Sequence, residues 1–302
     1  MIRSTAIGFS AVLLWASLAL FTTLSGQVPP LLLNGLSFGV ATLVGFGFAL
    51  STSRGRSTLL RTLHLPPAIL AFGIGGLFFF HALYFASLRL APPIEANLLN
   101  YLWPLFIVLG SGLVAGRAPG WRQWTGALLG LIGTVLIVMK DGALQFDTTY
   151  LPGYALALGA AFFWTTYSLS ARRFADVPTI AVTWYCLGTS LLSLVLHALM
   201  ETTVLPQNGI EWLAVLCLGL GPVGIAFFLW DEGMKRGDVA VIGAAAYAAP
   251  LLSTLLLIAF GQAELTWRIA LACLLITAGA ALAASSLFGR RAIRETVDPM
   301  AG

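Results

Sequence analysis

His81 and Tyr84 stand three residues apart in a long apolar stretch, with Leu77 one turn before them. The spacing puts all three on one helix face. An imidazole and a phenol in that setting can bond a polar solute or exchange a proton, and a histidine satisfied within the fold is the plainer alternative. Asn97, Asn100, Tyr101 and Pro104 follow in the next apolar stretch. Asn97, Tyr101 and Pro104 recur at i, i+4 and i+7, again one stripe. Pro104 denies the Asn100 carbonyl its helical partner. Backbone left unpaired in lipid is tolerated where it lines a cavity or is buried in protein. Tyr247 and Pro250 repeat the arrangement further along. These groups hold a solute rather than break a bond. HExxH and GxGD are missing, "LGSG" at 109–112 fails the GxSG pattern, and Lys140 and Lys235 lie too near stretch ends for a retinal Schiff base. No catalytic residue, metal site or cofactor is assigned.

Tyr101, Pro104 and Leu105 recur as Tyr247, Pro250 and Leu251, 146 positions later. At the same offset Gly73 and Gly75 meet Gly219 and Gly221, Arg89 meets Lys235, Trp121-Arg122 meets Trp267-Arg268, and Gly133 meets Gly279. Earlier in each half the offset is 149, pairing Trp15 with Trp164, Pro29 with Pro178 and Gly39 with Gly188. Two offsets three residues apart mean duplication with one small insertion or deletion. The expected copies are residues 1–147 and 148–289, followed by a short cytoplasmic tail, 290–302.

Only 9% of the residues are charged and 59% are hydrophobic, and the mean hydropathy is +0.91. A polytopic membrane protein follows. Apolar runs bounded by Pro, Gly and charge predict ten spans, at about 4–24, 31–51, 67–89, 93–115, 122–140, 152–171, 178–199, 211–231, 239–260 and 267–288. The fold class expected is therefore all-α, with ten transmembrane helices in two five-helix repeats. An odd number of spans per copy inverts the second copy relative to the first, an arrangement that places binding sites between the repeats. Of the 16 basic residues, the predicted loops put 13 on one face and Arg89, Lys140 and Arg268 on the other. Both termini are then cytoplasmic. The pI of about 9.2 reflects this bias and calls for no nucleic-acid partner. The partners expected are the lipid bilayer and a small molecule, with the chain a monomer.

Cys186, Cys217 and Cys273 fall inside predicted spans with no metal or disulfide spacing. Trp121, Trp124, Trp212 and Trp267 open spans, where the amphipathic indole favours the interface. Trp15 and Trp164 instead lie mid-span at equivalent positions, as packed core rings or as a stacking wall for a planar solute. Trp164, Tyr167 and Ser168 share a face, and Thr183, Trp184 and Tyr185 follow in the next span. Glu95 is expected to pair with Arg89, and Asp231 and Glu232 with Lys235 and Arg236. No Asp or Glu falls deep in a span, which argues against a carboxylate-driven proton antiporter. Rings, amides and hydroxyls suit an uncharged or zwitterionic solute with an apolar side chain. The substrate-binding residues expected are His81, Tyr84, Asn100, Tyr101, Trp164, Tyr247, Trp15 and Tyr185, with Pro104 and Pro250 as hinges.

Two five-helix copies in about 300 residues, with "NYLWP" at 100–104 and "EGMKRGD" leading into "AYAAPLLS", resemble the EamA-type branch of the drug/metabolite transporter superfamily. The resemblance covers nearly the whole chain. Many members carry a glutamate just after spans four and nine, where this chain has Gly116 and Gln262. The resemblance implies ten helices in a basket, a cavity open to one side at a time, and export of amino acids across the bacterial inner membrane. Export of another metabolite or drug, such as a nucleoside or purine, is the alternative.

Overall fold

The computed structural model describes residues 2–103, 105–107, 110, 120–140, 145–146, 148–174, 176–236, 246 and 248–297. Apart from two-residue strands β1 (Met139–Lys140) and β2 (Gln145–Phe146), the regular structure is helical. The first apolar run is two helices, α1 (Ile2–Trp15) and α2 (Leu18–Leu24). The break tightens at Ser17, whose amide and hydroxyl both donate to the Leu14 carbonyl, at 3.1 and 2.7 Å. Next come α3 (Pro30–Leu50) and α5 (Pro67–Leu90), each opening on a proline whose missing N–H costs nothing at a helix start. Between them the arginines at 54–61, expected in a loop, form a short helix α4 (Ser53–Thr62). Thr52 caps it by accepting the Gly55 N–H at 2.9 Å. Leu59 and Thr62 turn inward, where the Trp184 indole donates to the Thr62 hydroxyl at 3.0 Å.

The fourth run also breaks. α6 (Pro93–Asn100) ends four residues before Pro104, and Leu102 bonds back only three residues, to Leu99. Pro104 itself lies outside the described residues. The chain continues with α7 (Trp121–Val138), α8 (Leu151–Ala171) and α9 (Val182–Met200). The eighth run is α10 (Gly209–Leu220), a π turn at Gly221–Ile225, and α11 (Ala226–Arg236). Pro222 in that turn has no N–H to give, so the helix widens there. α12 (Ala248–Ala259) and α13 (Trp267–Val297) complete the fold. Pro250, expected as a hinge, is buried in the first turn of α12. Among the described residues, five helical segments are long and apolar enough to cross a membrane: Ile2–Leu24, Pro30–Leu50, Pro67–Leu90, Thr179–Met200 and Gly209–Arg236. Large apolar side chains such as Leu43, Phe162, Leu199 and Leu274 face outward, as a lipid solvent permits. Trp121, Trp124, Trp212 and Trp267 are exposed too, as interfacial anchors should be. The chain is an all-helical polytopic membrane protein.

Helices pack across the two copies in a pattern that a two-fold axis generates. α3 packs on α9 and α7 on α13, each pair joining equivalent helices; α5 packs on α8, and its counterpart α11 packs on α1. The α7–α13 contact repeats residue by residue. A Cβ on Gly133 would meet Ala272, Leu275 and Ile276, and one on Gly279 would meet Gly126, Leu129 and Gly130, the same three positions 146 residues earlier. Such reciprocity is the signature of an isologous interface. Small residues supply the close approach that substitutes for a hydrophobic drive between helices in lipid.

Gly73 and Gly76 on α5 lie under the rings of Tyr185 and Tyr167, whereas a Cβ at Gly75 would meet nothing within 4 Å. Gly73→Val is expected to destabilise the protein by about 1–3 kcal/mol through overpacking. Gly75→Ala should melt at or slightly above the wild type. Thermal unfolding of the detergent-purified variants checks the contrast.

Candidate functional site

Trp15 sits at the break between α1 and α2, where its ring reaches the centre of the bundle. Its indole N–H donates to the Pro222 carbonyl at 3.0 Å, inside the π turn. The ring meets Trp164 of α8 edge to face, with centroids 5.5 Å apart, and lies 4.8 Å from Trp230 and 5.8 Å from Phe227 of α11. Trp164 also touches Phe80 of α5 at 5.1 Å and Trp103 at 6.3 Å. Trp103 reaches Trp230 at 6.3 Å, so four indoles from the first, fourth, sixth and eighth apolar runs surround one point. His81 stands beside them, within 4.7 Å of Phe80, 4.9 Å of Phe38 and 5.4 Å of Phe227. These rings are buried and closed onto one another; Trp164 is only 2% exposed.

Position explains this cluster better than composition does. Trp15 and Trp164 are equivalent at the 149 offset, while His81 and Phe227, and Tyr84 and Trp230, are equivalent at 146. Two pairs of equivalents, Trp15 with Trp164 and His81 with Phe227, are in direct contact. A residue that touches its own counterpart must lie on the axis relating the copies.

The polar atoms are unevenly placed around that axis. His81 Nδ1 is 2.9 Å from the Leu77 carbonyl, which can only accept, so Nδ1 carries a proton, and in the neutral ring Nε2 is then the lone-pair acceptor. Nε2 of His81 and Oδ1 of Asn100 are buried with no hydrogen-bond partner among the described residues. Tyr84 donates its hydroxyl to Asn97 Oδ1 at 2.6 Å, and Asn97 Nδ2 donates to Ser253 of α12 at 2.8 Å. Tyr101 donates to the Trp15 carbonyl at 3.4 Å. Tyr185 lies over Gly73 of α5. Tyr247 lies outside the described residues.

Four of the expected residues therefore converge, Trp15, Trp164, His81 and Tyr101, and Asn100 is buried one residue before Tyr101. Phe227, Trp230, Trp103, Phe80 and Phe38 were not anticipated. Adding 146 to His81 and Tyr84 would have found the first two, because the copies keep aromatic character there while changing residue type. Arg89, expected beside Glu95, turns to Ser25 and Val28, and Glu95 accepts the Tyr154 hydroxyl. Lys235–Asp231 and Arg236–Glu232 pair as expected, at 2.6 and 3.0 Å. The three cysteines are free.

Two copies of one helical unit, wrapped in an apolar outer surface and meeting over a ring-lined centre, describe a multi-pass carrier. The chain belongs to the EamA-like transporter family, whose model matches it twice, over residues 4–139 and 151–285. It is 48% identical to the aromatic amino acid exporter YddG of Ancylobacter novellus, over 95% of this chain and 98% of that one. It is 26% identical to the aromatic amino acid exporter YddG of Salmonella typhimurium, over 84% and 87% of the two chains. A solved crystal structure with 49% sequence identity superposes with a TM-score of 0.74, covering 93% of this chain and 97% of that one. The chain is a multi-pass protein of the bacterial inner membrane.

Asn97 joins the third, fourth and ninth runs, so its loss leaves the buried Tyr84 hydroxyl without its acceptor. Asn97→Ala is expected to cost about 1–3 kcal/mol. A clear fall in melting temperature relative to the exposed control Ser57→Ala would show it.

Proposed function

We propose that this chain exports aromatic and other apolar amino acids across the inner membrane, by alternating access about a site between its two copies. Five spans per copy, ten in all, invert the second copy and leave both termini in the cytoplasm. The 13-to-3 split of basic residues supports that orientation. Relatives named as aromatic amino acid exporters, matched over nearly the whole chain, support the solute class.

One observation carries the reading: the contact of Trp15 with Trp164 and of His81 with Phe227 on the axis between the copies. The first copy brings a lone-pair acceptor to this point, His81 Nε2, and carries a second buried one, Asn100 Oδ1, in the last turn of α6 next to Tyr101. The second brings Phe227, Trp230 and Trp164. An amino acid would set its ammonium group against the first copy, its carboxylate toward the Asn100 amide and its side chain among the rings of the second. To admit it the rings must part, which is the movement that opens one face. Helices of the third, fourth, eighth and ninth runs would move, with Pro104 and Pro250 as pivots.

Counterflow tests the proposal. Proteoliposomes preloaded with unlabelled phenylalanine should take up labelled phenylalanine saturably with no pH gradient, and excess tryptophan should compete. Trp164→Ala should weaken the apparent affinity about two- to tenfold, the value of one aromatic contact. His81→Phe makes both sides of the axis apolar and should weaken it about tenfold or more, since one charge-assisted hydrogen bond exceeds about 1.4 kcal/mol. If Tyr101→Ala and Trp164→Ala both left flux untouched in folded protein, the site assignment would be wrong.

A further inference from the structure

Arg89 near the end of α5 and Lys235 near the end of α11 are equivalent residues, and each reaches back to the same place in its own copy. Arg89 donates to the Val28 carbonyl from Nη2 and Nε, at 3.3 and 3.4 Å. Lys235 donates from Nζ to the Val177 carbonyl at 2.5 Å. Val28 and Val177 are 149 positions apart, and each precedes the proline, Pro29 or Pro178, that leads into the next helix. A residue before proline is held extended, so its carbonyl has no helical donor and awaits a side chain.

Chance does not readily duplicate such a contact, since the two bases differ and so do their surroundings. Arg89 Nη2 also donates to Ser25 Oγ at 2.8 Å. Beside Ser25, Gly26 (φ 68°) leaves no room for a Cβ against the Glu211 carboxylate of the other copy. Lys235 is paired with Asp231 Oδ2 at 2.6 Å, and the Thr179 hydroxyl donates to that same oxygen. In both copies the basic residue lies eight positions beyond the axial ring, His81 to Arg89 and Phe227 to Lys235. Eight helical residues are about 12 Å, so each base ends a lever that carries one wall of the site.

We propose that Arg89 and Lys235 are paired latches, one on each membrane face. Each fastens the end of a ring-bearing helix to the turn before the second helix of its copy, and release of one opens the site to that face alone. The placement on opposite faces rests on the inverted ten-span reading; the latches do not depend on which solute is carried.

The test uses the full chain with Cys186, Cys217 and Cys273 replaced by serine and a reporter, Thr165→Cys, next to Trp164. A membrane-impermeant maleimide is applied to right-side-out and inside-out vesicles. Arg89→Gln should raise labelling from the outer face about fivefold, the value of roughly one net hydrogen bond, and leave the inner face unchanged. Lys235→Gln should do the reverse, while Arg89→Lys and Lys235→Arg stay near the parent. Ser25→Ala and Thr179→Val keep the charges, serve if the glutamine variants fold poorly, and should raise labelling at the outer and inner face respectively. Unchanged labelling in these folded variants overturns the latches. A rise at one and the same face for both latches overturns their opposed placement and the inverted reading with it. Absent phenylalanine counterflow with face-specific labelling intact would remove the solute assignment and uphold the latches.

Discussion

Trp15 and Trp164, equivalent residues of the two copies, touch edge to face at the centre of the bundle. Residues that meet their own counterparts lie on the axis, and here that contact, 5.5 Å between indole centroids, gathers the helices around it. α1, α5, α8 and α11, which bring Trp15, His81, Trp164 and Phe227, are the helices that pack across the copies as α5 on α8 and α11 on α1. Two further cross-copy pairs, α3 on α9 and α7 on α13, join equivalent helices and frame the centre. Under the proposed inversion, a site on this axis bears the same relation to both membrane faces. Exchange of conformation between the copies then exposes it to either side without moving it.

The site also stands where helices stop being regular. α1 ends at Trp15, the fourth run turns at Tyr101 and Leu102 just before Trp103, and the eighth widens at Gly221–Ile225 before Phe227 and Trp230. Each break frees carbonyls, and in lipid no water is at hand to satisfy them. Side chains do so instead: Trp15 donates to Pro222, Tyr101 to Trp15, and Thr165 to Trp103 as well as to its own helix. The ring-bearing segments are thus tied together by single side-chain bonds. Such bonds, worth about 1 kcal/mol net, are exchanged far more cheaply than the ladder of an unbroken helix.

Much of this was legible in the amino acids. Hydropathy located the apolar runs because lipid demands them, and the offsets 146 and 149 exposed the duplication and marked Trp15 with Trp164. His81 and Asn100 stood out because polar groups in apolar runs need a reason. Pro104 announced the break at Leu102, but the one at Ser17 was less visible: no proline or glycine marks it, and tertiary packing decides where a serine bends a helix. Trp230 and Phe227 went unnoticed because ordinary apolar residues carry no signal until paired by position with Tyr84 and His81. The partner of Arg89 was missed for a similar reason. Charge suggested a carboxylate, whereas the backbone carbonyl before a proline answered a need that residue type does not reveal.

The central claim is that solute lies on the axis with its polar end toward the first copy. Its most direct test is a structure of the protein determined with saturating phenylalanine. The account predicts density between Trp15 and Trp164, with the ammonium group within hydrogen-bonding distance of His81 Nε2 or Asn100 Oδ1 and the ring among Phe227 and Trp230. Phenylalanine bound elsewhere, or bound at the axis with its charged end toward the second copy, would contradict it.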